Sequence, residues 1–370
     1  MKVMLFGSYD LHQQHSITKI AALKEAGFEI VECRTEFPLK KRNRTESYSP
    51  FSILLAAIKE KINYVLLTAK FFTAGKADVM LVMYPAQIEM PLAKILAMLS
   101  GRKIIYAPFI SVYQTITVQR AYFKPKSIAG RLFYLLDKYA CKLSDRIILD
   151  TNAHAEYFSK TFGIPKENFV RVFIGADENY RKASAVGNKE FNALFYGSFI
   201  PGQGIELLLD AAEMLKNEKL KIIMAGDGPL KEKAMETAVR KGLKNIEFPG
   251  WVDAKNLPAL IAKADVGIGI IESNPKTDLV VANKAYAMLA MGKPLINFDA
   301  PGISELAGGN GAAYCNGTSK SVADAVLKLK NDSKLRNSVA ENGYRAFQEK
   351  ASVKAIAEQM KEVIQQAAKP

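Results

Sequence analysis

Three short stretches and three histidines of this 370-residue chain hold the side chains best suited to chemistry. In Met224-Ala225-Gly226-Asp227-Gly228-Pro229-Leu230 an apolar run ends in a Gly-Asp-Gly turn, and proline opens the next helix. Glycines there let another group approach the backbone, and a helix start offers free N–H groups and positive dipole. An ordinary tight turn has the same pattern. In Asn283-Lys284-Ala285-Tyr286-Ala287-Met288-Leu289, Asn283 and Lys284 open a helix with an apolar stripe. A lysine is electrostatically misplaced at a helix start, which points either to a cation facing phosphate or a sugar hydroxyl or to a solvated surface lysine. Tyr196-Gly197-Ser198-Phe199-Ile200-Pro201-Gly202-Gln203-Gly204 is a glycine-rich turn able to wrap a phosphate with backbone amides. Three histidines complete the set. His12 and His15 follow the first strand, beside Gly7 and Asp10, and His154 starts a helix after a strand. Each could orient an acceptor or donate to an oxygen, or serve only structure.

These residues need a scaffold, and the hydrophobic pattern predicts one. Residues 2–7, 28–33, 78–83, 103–107 and 146–150 read as strands, with helices such as 16–26 and 89–100 between them. Uninterrupted apolar strands separated by helices mean parallel sheets covered on both faces. The pattern restarts at 191–196 and continues through 220–225, 246–248, 266–270 and 294–298. The fold class is therefore α/β, two doubly wound, Rossmann-like domains facing across a cleft. Residues 1–180 and 190–345 form the domains, and the aperiodic stretch 177–190 is the linker. The helices near 332–348 and 352–368 have no strand to follow. The segment 346–370 could cap the second domain or cross back to the first. Ligands in such sheets sit beyond the carboxyl ends of the strands. The cleft should be lined by Gly7, Tyr113, His154, Gly197, Gly228 and Lys284.

Composition narrows the partners. Cys33, Cys141 and Cys315 have no motif spacing, which fits a reducing compartment and excludes a cysteine zinc site or disulfide framework. The opening Met1–Gly7 stretch is too short for a secretory signal, and no run approaches the ~20 apolar residues of a membrane span. The net charge is +14, of which +11 falls in residues 1–185 and +3 in 186–370. That asymmetry points to an anionic partner or to solubility alone. Lys40-Lys41-Arg42-Asn43-Arg44 precedes the apolar stretch 51–72, and Arg120-Ala121-Tyr122-Phe123-Lys124-Pro125-Lys126 mixes basic and aromatic residues. Both suit an anionic membrane surface. Nucleic acid is not expected, because no nucleic-acid fold motif accompanies them. The stretch 51–72 could equally be a buried helix pair.

The ordered series 196–205, Gly226-Asp227-Gly228-Pro229, Ile246-Glu247-Phe248-Pro249-Gly250-Trp251-Val252, Ala264-Asp265-Val266-Gly267-Ile268, the block from Asn283 to Ile296, and Asp299-Ala300-Pro301-Gly302-Ile303-Ser304-Glu305-Leu306 resembles the donor domain of family 4 glycosyltransferases. Gly7-Ser8-Tyr9-Asp10, Ser111-Val112-Tyr113-Gln114-Thr115, Leu149-Asp150-Thr151-Asn152-Ala153-His154 and Ile174-Gly175-Ala176-Asp177 are similar to one branch of that family. The resemblance implies a GT-B fold and transfer of a sugar from a nucleotide sugar to an acceptor, lipid-linked or a surface glycan precursor. It implies no cofactor and no essential metal, so cations and amides must neutralise the leaving diphosphate. It places donor contacts at Gly197, Ser198, Gln203, Gly226, Asp227, Gly228, Trp251, Asn283, Lys284 and Glu305. Catalytic roles fall to His154, Tyr113 and Gln114, and Gly7, Asp10, His12 and His15 belong to the acceptor side. The expected place of work is the cytoplasmic face of the inner membrane. The chain departs from the family at several positions. Leu279 and Ala287 stand where many members have two glutamates, Ser198 and Gln203 where many have Arg and Lys, and Gln114 where an acid often follows the tyrosine. Lys276 and Lys284 remain as counter-charges. A catalytically weakened relative that binds nucleotide or scaffolds a partner is the competing expectation.

Overall fold

The computed structural model describes residues 1–36, 50–183 and 187–368, with the backbone alone over 50–58. The chain divides into two compact units: Met1–Ile174 with Val353–Pro370, and Gly175–Ser352.

The first unit contains β1 (Lys2–Ser8), α1 (Gln14–Glu25), β2 (Glu29–Thr35), α2 (Pro50–Thr73), β3 (Val79–Met83), α3 (Met90–Ser100), β4 (Lys103–Ala107), the short turn α4 (Val112–Gln114), α5 (Ile128–Lys142), β5 (Arg146–Leu149), α6 (Asn152–Phe162) and β6 (Phe169–Arg171). Its six strands are ordered β2-β1-β3-β4-β5-β6, with every pair parallel. Every residue of β3, Val-Met-Leu-Val-Met, is buried, as a strand covered on both faces must be. One face is covered by α2, α3, α5 and α6, through Leu67, Phe71, Ala93, Leu96, Cys141 and Phe158. The order of strands reverses between β1 and β3, so right-handed crossovers put α1 on the opposite face.

The second unit contains β7 (Phe191–Ser198), α7 (Ile205–Met214), β8 (Leu220–Asp227), α8 (Lys231–Arg240), β9 (Ile246–Gly250), α9 (Leu257–Ala262), β10 (Val266–Ile268), α10 (Asn283–Ala290), β11 (Leu295–Phe298), α11 (Pro301–Ala307), β12 (Ala313–Cys315), α12 (Ser319–Asn331) and α13 (Ser333–Lys350). Its parallel sheet is ordered β12-β11-β10-β7-β8-β9. The last helix, α14 (Val353–Ala367), returns to the first unit and packs on α1, with Ile356, Met360, Val363 and Ile364 buried there.

Three readings change on contact with the structure. The stretch 51–72 forms one helix rather than a pair. Residues 175–183 pack on the second unit, where the Ala183 N–H donates to the Met291 carbonyl and Lys182 pairs with Glu341, so the boundary falls before the expected linker. Phe71, in the stretch 51–72 expected to suit a membrane surface, is a core residue, whereas Phe72, Tyr122 and Phe123 are exposed. The basic run at Lys40, Lys41, Arg42 and Arg44 lies outside the described residues, as do the side chains of Phe51, Leu54 and Leu55.

Candidate functional site

In the second unit the strand order reverses between β7 and β10, and the carboxyl end of β7 is where the glycine-rich turn begins. Gly197 pairs with Gly226 and Ser198 with Asp227 across β7 and β8. Gly226 has φ +142°, and a Cβ there would lie 1.8 Å from the Gly197 carbonyl oxygen. Gly228, at φ +152°, would place a Cβ 2.6 Å from the Phe199 carbonyl oxygen. These glycines are required by close backbone packing, which fixes the floor of the turn.

Lys284 is the notable cation above that floor. It sits in the first turn of α10, is 6% exposed, and its Nζ has no hydrogen-bond partner among the described residues. The Nζ lies 3.9 Å from the centroid of the buried Phe195 ring, and a Cβ at Gly197 would come within 3.9 Å of it. Burial without a carboxylate pulls its pKa from 10.5 down to about 7. A buried amine held against a ring face, with no carboxylate bonded to it among the described residues, is stabilised in its charged form by an approaching anion.

The other residues expected on the donor side differ in exposure and in the bonds they already make. The amides of Phe199, Ile200, Gly204 and Gly228 already donate, to Asp227, Ser198, Glu272 and the Asp227 carboxylate, so fewer are free to wrap a phosphate than the sequence suggests. Asp227 and Asn283 are exposed, as is Trp251 just beyond β9, while Gln203 is half-buried in the turn before α7. Glu305 is half-buried in α11, and its carbonyl accepts from Lys350. Ala287, one of the two positions lacking the common glutamate, is buried in α10.

The first unit has its own switch point between β1 and β3. Gly7, with φ +111°, would carry a Cβ 2.5 Å from that of Ala86. The Ser8 N–H donates to Glu89 Oε1 at 3.2 Å, while Glu89 Oε2 and both polar atoms of the Gln87 amide are buried without a partner among the described residues. Burial first, and the nearby Glu60 carboxylate second, push Glu89 up to about 7, against the pull of the Ser8 hydroxyl. His15 is buried and stacked on Phe109 at 4.6 Å. Burial, then the Lys19 charge, pulls it down to about 3. It is therefore a neutral imidazole at ordinary pH. His12 is exposed, and Asp10 caps the turn by accepting from the His12 and Gln13 nitrogens.

At the carboxyl end of β5, Thr151 caps α6 by accepting from the His154 N–H, and His154 Nδ1 meets Asp150 Oδ1 at 2.7 Å with both side chains buried. A carboxylate can only accept, so the proton of this contact is carried by Nδ1, which holds the ring in one orientation. Lys19 of α1 is buried near the same carboxylate. Desolvation pulls it to about 8, and the Asp150 charge resists that fall. Tyr113 and Gln114 serve a different purpose. The Tyr113 N–H and the Ser111 hydroxyl both donate to the buried Asp137 carboxylate, and the Tyr113 ring packs on Tyr134 and Phe162. Gln114 is buried, with its N–H donating to Ser111 Oγ. Asp137, Gln87, Glu89 and Lys19 carry no sequence motif of their own, whereas Asp150 lies in the stretch Leu149–His154 that carries the family resemblance.

Glu89 gives a measurable consequence. Its folded pKa lies above the unfolded value near 4.5, so its stabilising contribution is complete below pH 4.5 and is lost as pH rises towards 7. Glu89→Gln should remove that slope, and urea unfolding from pH 4 to 8 should give a wild-type-minus-variant difference that falls by about 1–3 kcal/mol across the window. Parallel curves would show that Glu89 is solvated.

Among known protein families, Glycosyl transferases group 1 matches residues 190–332, within the second unit. An uncharacterized glycosyltransferase from Methanocaldococcus jannaschii is 26% identical over 229 residues, 61% of this chain and 60% of that protein. The chitobiosyldiphosphodolichol beta-mannosyltransferase of Candida albicans is 26% identical over 237 residues, 57% of this chain and 51% of that protein. The matched stretch thus spans between half and two thirds of these relatives. Among solved structures, Anabaena HepE in complex with UDP superimposes with a TM-score of 0.72 at 16% identity, covering 99% of this chain and 100% of that one. Sucrose-phosphate synthase from Thermosynechococcus elongatus also gives 0.72, at 14% identity and with 99% and 98% covered. These likenesses give the fold, GT-B. Lys284, Gly197, Gly226 and Gly228 all lie inside the matched stretch, residues 190–332.

Proposed function

We propose that the protein is a family 4 glycosyltransferase that binds a nucleotide sugar through its second unit and a lipid-linked or glycan-precursor acceptor through its first. The observation that carries this reading is Lys284, a buried, unpartnered ammonium beside Gly197 within the domain that matches the family. Its natural counter-ion is the diphosphate of the donor. In transfer the bond from the anomeric carbon to the diphosphate oxygen breaks, and an acceptor hydroxyl oxygen takes that carbon. The hydroxyl proton passes to solvent, and the negative charge gathered on the diphosphate is met by Lys284. That role makes a divalent ion dispensable. UDP is the nucleotide to test first, since HepE is solved with UDP bound. A lipid diphosphate acceptor is supported by the dolichol diphosphate in the name of the Candida relative, and by the +11 carried by residues 1–185. The enzyme would then work peripherally at the cytoplasmic face of an anionic membrane. No described helix is long and apolar enough to cross one.

The absence of glutamates at Leu279 and Ala287 supports a second reading, a weakened relative that binds nucleotide without turnover. A panel of UDP, GDP and ADP sugars, assayed for binding and for hydrolysis with and without chelator, separates the two. Glycosyltransfer predicts binding of one nucleotide series and slow hydrolysis, both unaffected by chelator. His154→Ala should lower that hydrolysis about 10²-fold or more while leaving nucleotide affinity intact. Binding without hydrolysis for every sugar favours the second reading, and no binding at all refutes both.

A further inference from the structure

The helices on one face of the first sheet are apolar on both sides. In α2, Leu67 and Phe71 point into the core, yet Ile62, Val65, Leu66 and Phe72 recur on the outward side at helical spacing, with Val65 70% exposed. In α3, Ala93, Leu96 and Ala97 face inward, whereas Ile95, Met98 and Leu99 face out, Leu99 at 72%. In α5 the outward stripe is Ile128, Leu132, Leu135 and Tyr139, at i, i+4, i+7 and i+11, with Ile128 at 82%. An ordinary surface helix buries one stripe and solvates the other. Here three helices of the same layer break that rule on the same side, and Val118, Tyr122 and Phe123 are exposed in the segment that leads into α5.

The charges on these helices share one sign. Exposed Lys59, Lys61 and Lys70 lie on α2, and exposed Arg131 and Lys142 on α5. Among the described residues of the three helices the acids are Glu60, half-buried, and Asp137, buried, so no exposed carboxylate interrupts these three helices; Glu156 of the neighbouring α6 is exposed and pairs with Lys160. A second copy placed face to face would oppose lysine to lysine. An apolar layer studded with cations matches the boundary between acyl chains and anionic headgroups.

We propose that the outward layer of α2, α3 and α5 is the face on which the first unit docks to an anionic phospholipid bilayer, with the aliphatic side chains inserted and the lysines and arginines at the phosphates. The proposal takes its partner from the membrane location proposed above, but its face is independent of the run from Lys40 to Arg44.

The test is flotation of the full chain with vesicles of phosphatidylcholine alone or mixed with phosphatidylglycerol. Wild type should float with the mixed vesicles and much less with the neutral ones. The triple variant Val65→Glu, Leu99→Glu, Leu132→Glu should lose affinity about tenfold or more, because each carboxylate must enter the headgroup boundary. Val239→Glu, at an equally exposed apolar position of the second unit, should change nothing. Unchanged thermal unfolding and nucleotide binding certify that the triple variant is folded. In Ile128→Trp, vesicles should shift the new indole emission to the blue. If the triple variant floats like wild type while reversal of Lys40, Lys41, Arg42 and Arg44 to Glu abolishes flotation, the docking face is refuted and the membrane location stands. If wild type floats with neither vesicle and the triple variant dissolves an oligomer instead, the layer is a protein interface and both ideas fall.

Discussion

UDP should bind with constant affinity up to about pH 7 and then lose roughly tenfold for each further pH unit. The cause is Lys284, which burial holds near pH 7 when no anion is present. A diphosphate beside its Nζ favours the ammonium, so above pH 7 each binding event must draw one proton from solution. Lys284→Met keeps the aliphatic stem on Phe195 and removes the charge. It should weaken UDP by about 1–3 kcal/mol at pH 6 and abolish the pH slope. Titration calorimetry at pH 8 in buffers of different ionisation heat reads the proton directly. Uptake should approach one proton in wild type and vanish in the variant. The ligand-free protein gives the opposite sign. The folded pKa lies below the unfolded one, so the unfolded chain holds more protons between about 7 and 10.5, and stability rises with pH through that window. A wild type whose UDP affinity ignores pH would place the diphosphate away from Lys284.

The second large effect is steric. Gly226→Ala asks for a Cβ 1.8 Å from a backbone oxygen at φ +142°, and the obstruction is Gly197 itself, one strand away. No side chain can rotate to make room, so β7 and β8 must separate at their carboxyl ends. We expect a loss of about 3–5 kcal/mol in the second unit, together with loss of UDP binding. Gly27→Ala is the control. Its φ is +77° but nothing lies within 4 Å of the added Cβ, so only the left-handed backbone cost of about 1–2 kcal/mol applies. Thermal unfolding compares the two. Equal shifts would mean that the β7–β8 contact is loose enough to absorb a methyl group.

The sequence shows most clearly whatever is continuous along it. Strands such as β1, β3, β7 and β8 are unbroken apolar runs, and the restart at Phe191 announces a second sheet before any coordinates. The edge strands β6 and β12 escape because three residues carry no period. Lys284 was marked by its wrong place in the helix dipole, but its burial was not, since that depends on Phe195 of β7, which lies far away in the chain. Glu89 and Gln87 carried no mark at all. They matter because β1 and β3 are neighbours, and the Ser8–Glu89 bond closes 81 residues. The stripes of α2, α3 and α5 were half legible. Their apolar content is plain, but which side faces inward is decided only by the sheet beneath them.

The return of α14 to the first unit sets an order of assembly. The second unit is continuous in sequence, so a ribosome delivers it whole before residue 353 appears. The first unit is made first but finished last. Until α14 emerges, the sheet face that holds Val3, Leu5, Leu81 and Met83 lacks Ile356, Met360, Val363 and Ile364. The nascent chain therefore carries an open apolar surface throughout synthesis of the second unit, a state exposed to aggregation and suited to chaperone capture.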